Sequence, residues 1–413
     1  MPGITEFPSI IVEAVKRFSS LFKNESQRNH FAEYLTGLMI AERKTINGIT
    51  QEFADSKDQS CLNRFLTEVS WDEDDLNQAR LKMLQDNPLT RYSKDGTIAI
   101  DNVLIDHDGK FIKDVGWFWD HSEQRNKIAH DYLFANYVCK SGKHYPLDFK
   151  RFKKKEQCDA TGEDFVNHTD LCISLVDWVC ENNIPGDFTF DSYFTSAKVL
   201  NHINSQSNER QESRAYVGDL KSNRKIRWHG KLIGVSDFAE TISKDNRKEF
   251  ENPFGNRQWY FTVTTTIPEI DHRVRLVIIW DSKNDSKPRK IIVSNRTNWE
   301  ITRITGIYRN RWTGTETFHR DGKQELGMGD CQLRDGRGQT RHMHLVMLAY
   351  SLLITELDSN RSLKWSLTMP TTIGEACRSI MKELMRKTIA WVVESIKNEE
   401  ESLASALIKL RLA

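Results

Sequence analysis

Surplus charge is the first thing missing from this sequence. Lys and Arg number 59 against 58 Asp and Glu, a formal net charge of +1, whereas a protein that only coats nucleic acid is usually strongly basic. A balanced total still suits an enzyme with acidic clusters beside basic grooves, so charge has to be read locally. The seven cysteines (61, 139, 158, 172, 180, 331 and 377) are odd in number and form no C-x-x-C pair. That argues against a disulfide framework or a zinc site and for reduced, cytosolic thiols. The opening MPGITEFPSIIVEAVKRF lacks a basic stretch followed by an apolar one, so no secretory signal is expected. The longest apolar run, LVMLAYSLLI at 345–354, is too short for a bilayer, and a cytoplasmic protein without membrane contact is expected. Gly-rich phosphate loops, G-x-S-x-G and H-E-x-x-H are all absent.

What is present is a change of period near residue 90. Residues 1–90 read as helical: SQRNHFAEYLTGLMIAE places Phe31, Tyr34, Leu35, Leu38 and Met39 at 3-4 spacing. Two shorter helices, TINGITQEFA and DQSCLNRFLTEV, flank a loop at Asp55, Ser56 and Lys57. They read equally as a helix-turn-helix and as part of a bundle with a solvated polar face. Leu62, Phe65, Leu66 and Val69 would be buried, and Gln59, Ser60, Asn63 and Arg64 exposed. From residue 92 strands take over: GTIAIDNVLI, KDVGWFWDH and IAHDYLFANYV, then an amphipathic helix over DFVNHTDLCISLVDWVCENN. The strand DFTFDSYF, the helix SAKVLNHINS and the strand RAYVGDL complete the series.

Strands, helix, strand, helix, strand is the order of a ribonuclease-H-like α/β fold with a mixed sheet. Residues 221–297 should bring its last helix but alternate as strands, a β-rich insertion, and the helix follows at roughly 299–325. The expected organisation is a helical, helix-turn-helix-like DNA-binding domain at 1–90, a ribonuclease-H-like catalytic domain at 91–355 with its β insertion at 221–297, and a helical segment at 356–413. The last carries an apolar stripe of Ile380, Leu384, Ile389, Val392, Val393 and Ile396.

Three acids fall where such a fold makes side chains converge. Asp101 lies in the first strand, Asp191 ends a strand expected beside it at about 4.8 Å, and Glu316 lies on the late helix. Asp101 sits among Ile98, Ile100, Val103 and Leu104, where an unpaired carboxylate is expensive and a metal or basic partner is the usual remedy. Three carboxylates at one sheet end make a hard-oxygen site for Mg²⁺, with Mn²⁺ as a substitute, and two such ions can drive phosphoryl transfer. Glu316 and Lys323 are seven residues apart, two helical turns, so both face one side, and Tyr308 and Arg311 lie one to two turns before Glu316. That grouping suits a phosphodiester strand, or an exposed helix with ordinary salt bridges.

YRNRWTGTETFHRDGKQELGMGD resembles the Tyr-x2-Arg…Glu-x6-Lys signature of DDE transposases from bacterial insertion sequences, the DDE superfamily endonucleases. RHMHLVMLAYSLL, IAIDNVLIDHDGK, YPLDF, FDSYFTSAKVL and LKSNRKI resemble further motifs of that family, in order, over roughly residues 20–355. The resemblance implies Asp101, Asp191 and Glu316 as metal ligands, and Tyr308, Arg311 and Lys323 as contacts to transposon-end DNA. It also implies cleavage and strand transfer at terminal inverted repeats, target DNA as partner, a homodimeric synaptic complex and a nucleoid-associated enzyme. Two departures stand out. Asp101-Asn102-Val103 replaces the usual Asp-Asp-Thr, and Arg311 to Glu316 is one residue longer than usual, which a bulge at Gly314 would absorb. These departures support an alternative, a catalytically impaired, transposase-derived DNA-binding protein. A plain endonuclease without strand transfer is a third reading.

Basic residues flank the acids: KRFKKK at 150–155, KSNRKIR at 221–227 with Lys221 and Arg224, and Arg303, Arg309, Arg311, Arg320, Arg334, Arg337 and Arg341. Together they suggest a phosphate-tracking groove. Among the nearby histidines 121, 130, 319, 342 and 344, His319 lies three residues after Glu316 and could assist proton transfer.

Overall fold

The computed structural model describes residues 3–55, 58–120, 123–207, 211–398 and 402–412. Five helices come first: α1 (Ser9–Phe18), α2 (Glu25–Ile40), α3 (Ile46–Gln51), α4 (Gln59–Thr67) and α5 (Glu73–Asp86). Four strands follow: β1 (Thr97–Asp106), β2 (Gly116–Asp120), β3 (Arg125–Val138) and β4 (His144–Phe152). Next come α6 (Lys155–Thr161), α7 (His168–Glu181), β5 (Asp187–Phe190), α8 (Ala197–Ser205) and β6 (Tyr216–Asp219). The strand-rich stretch holds β7 (Lys225–Trp228), β8 (Lys231–Gly234), α9 (Val235–Thr241), β9 (Lys248–Glu251), β10 (Arg257–Thr265), β11 (Val274–Trp280) and β12 (Lys290–Ser294). Four helices close the chain: α10 (Ile301–Glu325), α11 (Gly336–Glu356), α12 (Ile373–Lys397) and α13 (Leu403–Lys409). The architecture is the expected mixed α/β one, with helical N- and C-terminal segments and a mixed sheet consistent with a ribonuclease-H-like core. By contacts the chain forms two units. One comprises Met1–Arg91, Leu104–His130 and His319–Ala413, the other Tyr92–Val103 and Asp131–Phe318.

In the first unit, side-chain caps start the helices. Asn24 accepts from Gln27 N–H at α2, and Asp72 accepts from Asp74 and Asp75 N–H at α5, satisfying amides that have no partner inside the helix. The acidic first turn of α5 also complements the positive end of the helix dipole. The two expected short helices are α3 and α4. Leu62, Phe65 and Leu66 of α4 are buried while Gln59, Ser60, Asn63 and Arg64 are exposed, as the spacing predicts; Ser56 and Lys57 of the intervening loop lie outside the described residues. The apolar stripe of α12 is buried only at its start: Ile380 and Leu384 are covered, whereas Ile389, Val393 and Ile396 are exposed.

In the second unit the strands lie in the order β3-β1-β5-β6-β12-β11-β10-β9, with β4 pairing with β3. β1, β5 and β6 are mutually parallel, and the first residues of β1 read as an unbroken buried run (Thr97 to Asp101), typical of a central strand covered on both faces. The stretch at 221–297 is strand-rich as expected, but most of it extends the same sheet. β12 pairs antiparallel with β6 (Val293 with Gly218), and β11, β10 and β9 follow in turn. Only β7 and β8 form a separate two-stranded sheet. Hydrophobic pairing explains this: Leu276, Val277, Ile278, Ile291, Ile292 and Val293 are all buried, and burial on both faces is available only inside the sheet.

Helix α10 crosses one face of that sheet. Ile301, Ile304 and Ile307 pack with Val217, Val277, Ile279 and Ile292. Farther along, Asn310 Nδ2 donates to Thr97 Oγ1 at 2.8 Å, and Phe318 meets Phe134 with ring centroids 5.2 Å apart. The bulge expected at Gly314 is absent; α10 is continuous α-helix from Ile301 to Glu325. Gly314 serves close packing instead, since a Cβ there would lie 2.8 Å from Val138 Cγ2 and 3.3 Å from Ala99 Cβ. Gly314→Val should therefore destabilise the protein by about 1–3 kcal/mol through overpacking. Gly314→Ala should come out nearer neutral, because alanine recovers about 1 kcal/mol of helix propensity. Thermal melting of the two variants checks the order.

Candidate active site

β1 and β5 carry the first two acids to the same end of the sheet. Ile100 is paired with Phe190 in parallel register, so Asp101 and Asp191 are the next residues along two adjacent strands. Asp101 is buried and faces α10: Arg311 Nη1 donates to its Oδ2 at 2.7 Å, Thr315 Oγ1 lies 3.5 Å from the same oxygen, and Asn102 N–H donates to Oδ1 at 3.0 Å. Asp191 turns the chain out of β5. Its Oδ1 accepts from Tyr193 N–H at 2.9 Å and its carbonyl from Thr195 Oγ1 at 2.7 Å. Glu316 sits on α10, five residues beyond Arg311 and next to Thr315.

The electrostatics tie the three acids together. Burial pushes the Asp101 carboxyl up to about 7; the negative charges of Asp191 and Glu316 add to this, and Arg311 opposes them without prevailing. Arg311 itself is held protonated against burial by Asp101, Tyr308, Asp191 and Glu316. A carboxyl raised in the folded state makes folding less favourable as it ionises. Relative to Asp101→Asn, the wild-type protein in chelator should therefore lose stability as pH rises from 5 to 7, by up to about 1.4 kcal/mol per pH unit. Half-buried His107 and buried His319 and His342, with pKa values pushed down to about 4, 3 and 4, pull in the opposite direction but cancel in this difference. Melting curves of the two proteins that stay parallel across pH 5, 6 and 7 would contradict it.

Asn102, on the opposite face of β1, has its own partner. Its Nδ2 donates to Asp131 Oδ1 at 3.0 Å, and His168 Nε2 lies 2.7 Å from Asp131 Oδ2. The His168 ring stacks on Phe152 at 3.8 Å. Asp131 is buried and adds to the rise in the Tyr193 pKa, after burial and ahead of Asp191. Sequence reasoning missed this fourth acid, although IAHDYLF shows the signal used for Asp101, a carboxylate inside an apolar strand.

The basic and aromatic residues divide into two groups. Lys221 Nζ lies 5.9 Å from the Tyr193 ring centroid; Arg224 Nη2 lies 3.5 Å from Thr195 O and Nη1 2.7 Å from Glu269. Both thus border the turn after Asp191. Tyr308 accepts from Lys290 Nζ at 2.9 Å and lies under the Arg311 guanidinium at 5.8 Å. Tyr308 and Arg311 line a cavity of about 470 Å³ together with Phe254, Arg309 and Trp312. Arg320 and Lys323 are exposed on the later part of α10, which belongs to the first unit, and Arg320 pairs with Asp321. Arg341 departs from expectation. It is wholly buried, bound to Glu73 and to the carbonyls of Leu66 and Trp71, and so is not part of any phosphate-tracking surface. His319 is buried and its low pKa keeps it neutral, a poor proton acceptor at neutral pH. His130 and His342 bond Lys113 O and Gly327 O, and His121 lies outside the described residues.

Hard carboxylate oxygens are the donors a divalent ion of the magnesium type prefers, and a cation would offset the burial and the acidic repulsion that together raise Asp101. The donor chemistry therefore fits. Among the described residues, however, no three His, Cys, Asp or Glu side chains are gathered closely enough to hold an ion. In this arrangement Arg311 is the cation that Asp101 has.

Among the described residues no helix is long and apolar enough to cross a membrane. No curated protein matches the sequence. Residues 17–227, just over half of the chain, match the family described as DDE superfamily endonuclease, and this stretch contains Asp101 and Asp191 but ends before Glu316. Enzymes of that family act on DNA and use divalent metals. The chain belongs to the DDE superfamily endonucleases.

Proposed function

We propose that the protein is a DNA transposase that cleaves transposon ends and joins them to target DNA. The observation that carries this reading is the meeting of Asp101 and Asp191, each the next residue after the paired Ile100 and Phe190 of β1 and β5, with the Asp101 carboxyl raised first by burial and then by its acidic neighbours. Asp101, Asp191 and Glu316 would hold Mg²⁺, or Mn²⁺ in its place. When bound, such ions activate the attacking oxygen and stabilise the leaving one in an in-line displacement. Lys221 and Arg224, beside the Tyr193–Thr195 turn, would hold the scissile strand by its phosphates. Tyr308, Arg311, Arg320 and Lys323 would contact the transposon end, Arg311 by exchanging Asp101 for a phosphate, which its planar fork accepts equally well. Water attacks the phosphodiester first, and the freed 3′-hydroxyl then attacks target DNA. Two chains, each on one terminal inverted repeat, would make the synaptic complex.

A second reading has its own support. The Arg311–Asp101 pair and the engagement of Asn102 with Asp131 also suit a chain that binds transposon ends without cutting them. Mg²⁺-dependent nicking of DNA carrying the element's flanking ends, compared between wild type, Asp191→Asn and Glu316→Gln, separates the two. Wild-type binding without any nicking would favour the binding protein.

A further inference from the structure

At the other end of β1, β5 and β6 the sequence places basic residues where the acids end the strands above. Lys94 precedes β1, Arg214 precedes β6, Arg296 follows β12, and Arg303 lies in the first turn of α10. They line a cavity of about 500 Å³, large enough for a nucleotide, in which four side chains are basic and three (Asp95, Asp187 and Glu212) are acidic. Asp187, the first residue of β5, is about 13 Å from Asp191, four strand residues at roughly 3.3 Å each. The cavity is therefore separate from the acid cluster and shares no lining residue with it.

The basic groups are organised for an anion. The Arg303 guanidinium lies over the Trp299 ring, 3.8 Å from its centroid, with that of Arg296 6.0 Å from the same ring. Arg214 is buried, fixed by a 2.8 Å bond to Ile184 O and by the Phe188 ring at 5.1 Å. Guanidinium groups locked by stacking and backbone bonds lose little freedom on binding a phosphate, and each carries five N–H donors in a fork that matches phosphate oxygens. Arg303 gives Asp187 only a single contact at 3.4 Å. The first turn of α10, the positive end of a 25-residue helix, lines the same space. Asp187 is the anion that competes for these cations. Burial holds its carboxyl up near 6 even though Arg303, Arg296 and Arg214 pull it down.

We infer that this cavity binds a phosphate ester, gripped by Arg214, Arg296 and Arg303 with Lys94 at the rim. The ester comes either from a DNA backbone remote from the cleaved bond or from a free nucleotide. The inference does not depend on strand cleavage, so it is tested by binding, in chelator, on the full-length protein. Two arms are run: anisotropy of a labelled 30-base-pair duplex across a salt series, and calorimetry with adenosine monophosphate and with pyrophosphate. Each compares wild type with Arg303→Ala and Asp187→Asn, both checked by thermal melting. Removing the cation should weaken binding about tenfold, and removing the competing carboxylate should strengthen it severalfold. If DNA is the source, Arg303→Ala also lowers the slope of log affinity against log salt by about one, and the small ligands do not bind. If a nucleotide is the source, calorimetry carries both changes and DNA affinity is unaltered. Opposed effects of the two variants on either ligand support the site. Equal weakening by both, or no response of any ligand, overturns it while leaving the cleavage reading standing.

Discussion

Asn in place of Asp191 should reduce Mg²⁺-dependent DNA cleavage at least about a thousandfold, a loss near 4 kcal/mol of transition-state stabilisation, with the protein still folded and still bound to DNA. The substitution is informative because of what it leaves alone. Asp191 Oδ1 accepts the Tyr193 N–H that turns the chain out of β5, and an asparagine carbonyl oxygen accepts the same bond. Only the negative charge is lost. Glu316→Gln makes the same exchange on α10, with a similar expected loss. The effects of the two should not add when combined, since groups that act on one centre fail together. A gel assay of nicking and a filter assay of binding read the two properties separately. Nicking that persists near the wild-type rate in both variants would remove the three carboxylates from the mechanism.

The second large effect is on stability and lies in the first unit. Arg341→Ala should cost about 3–5 kcal/mol, because it empties the space of a large buried side chain and leaves buried carbonyls without their donor. Arg341 of α11 is wholly buried, and its guanidinium reaches Glu73 Oε2 at 3.1 Å, Leu66 O at 3.1 Å and Trp71 O, lying over the Trp71 ring at 4.3 Å. One side chain thus serves two needs. It takes up carbonyls left without partners at the C-terminal end of α4 and neutralises a carboxylate in the first turn of α5. Arg341→Lys should recover little, since one ammonium cannot reach three acceptors in a plane. Melting temperature and soluble yield are the readouts, and a variant melting within a degree of wild type would refute the assignment. Loss of DNA affinity without loss of stability would return Arg341 to the phosphate-binding group.

Arg341 also shows where the sequence stops being readable. A run with Arg334, Arg337 and Arg341 has the same local pattern whether it faces solvent or threads between helices, because burial of a charge is decided by neighbours distant in sequence, here Glu73 and Trp71. Asp131 escaped notice for a related reason: its partners Asn102 and His168 lie 29 and 37 residues away. The acids on β1 and after β5 could be read because an apolar strand interrupted by one carboxylate is a local signal, and parallel adjacency of those strands follows from element order. The bulge assigned to Gly314 failed because helix phase was judged from spacing alone, while the glycine answers to Val138 and Ala99 across the interface. The strands at 221–297 were visible one by one. That β12 continues the main sheet depended on its pairing with β6, which periodicity does not encode.

Helix α10 has a mechanical consequence. Arg303 near its start and Glu316 farther along are 13 residues apart, about 20 Å of unbroken helix. A continuous α-helix is stiff along its axis, so a push at one point arrives at the other almost undiminished. Gly314, seated against Ala99 and Val138, is the notch that indexes this rod on the sheet. A slide of one residue, about 1.5 Å, would shift Glu316 relative to Asp101 and Arg303 relative to Asp187 at the same moment. The two ends of the sheet are therefore geared together, and neither can be adjusted alone.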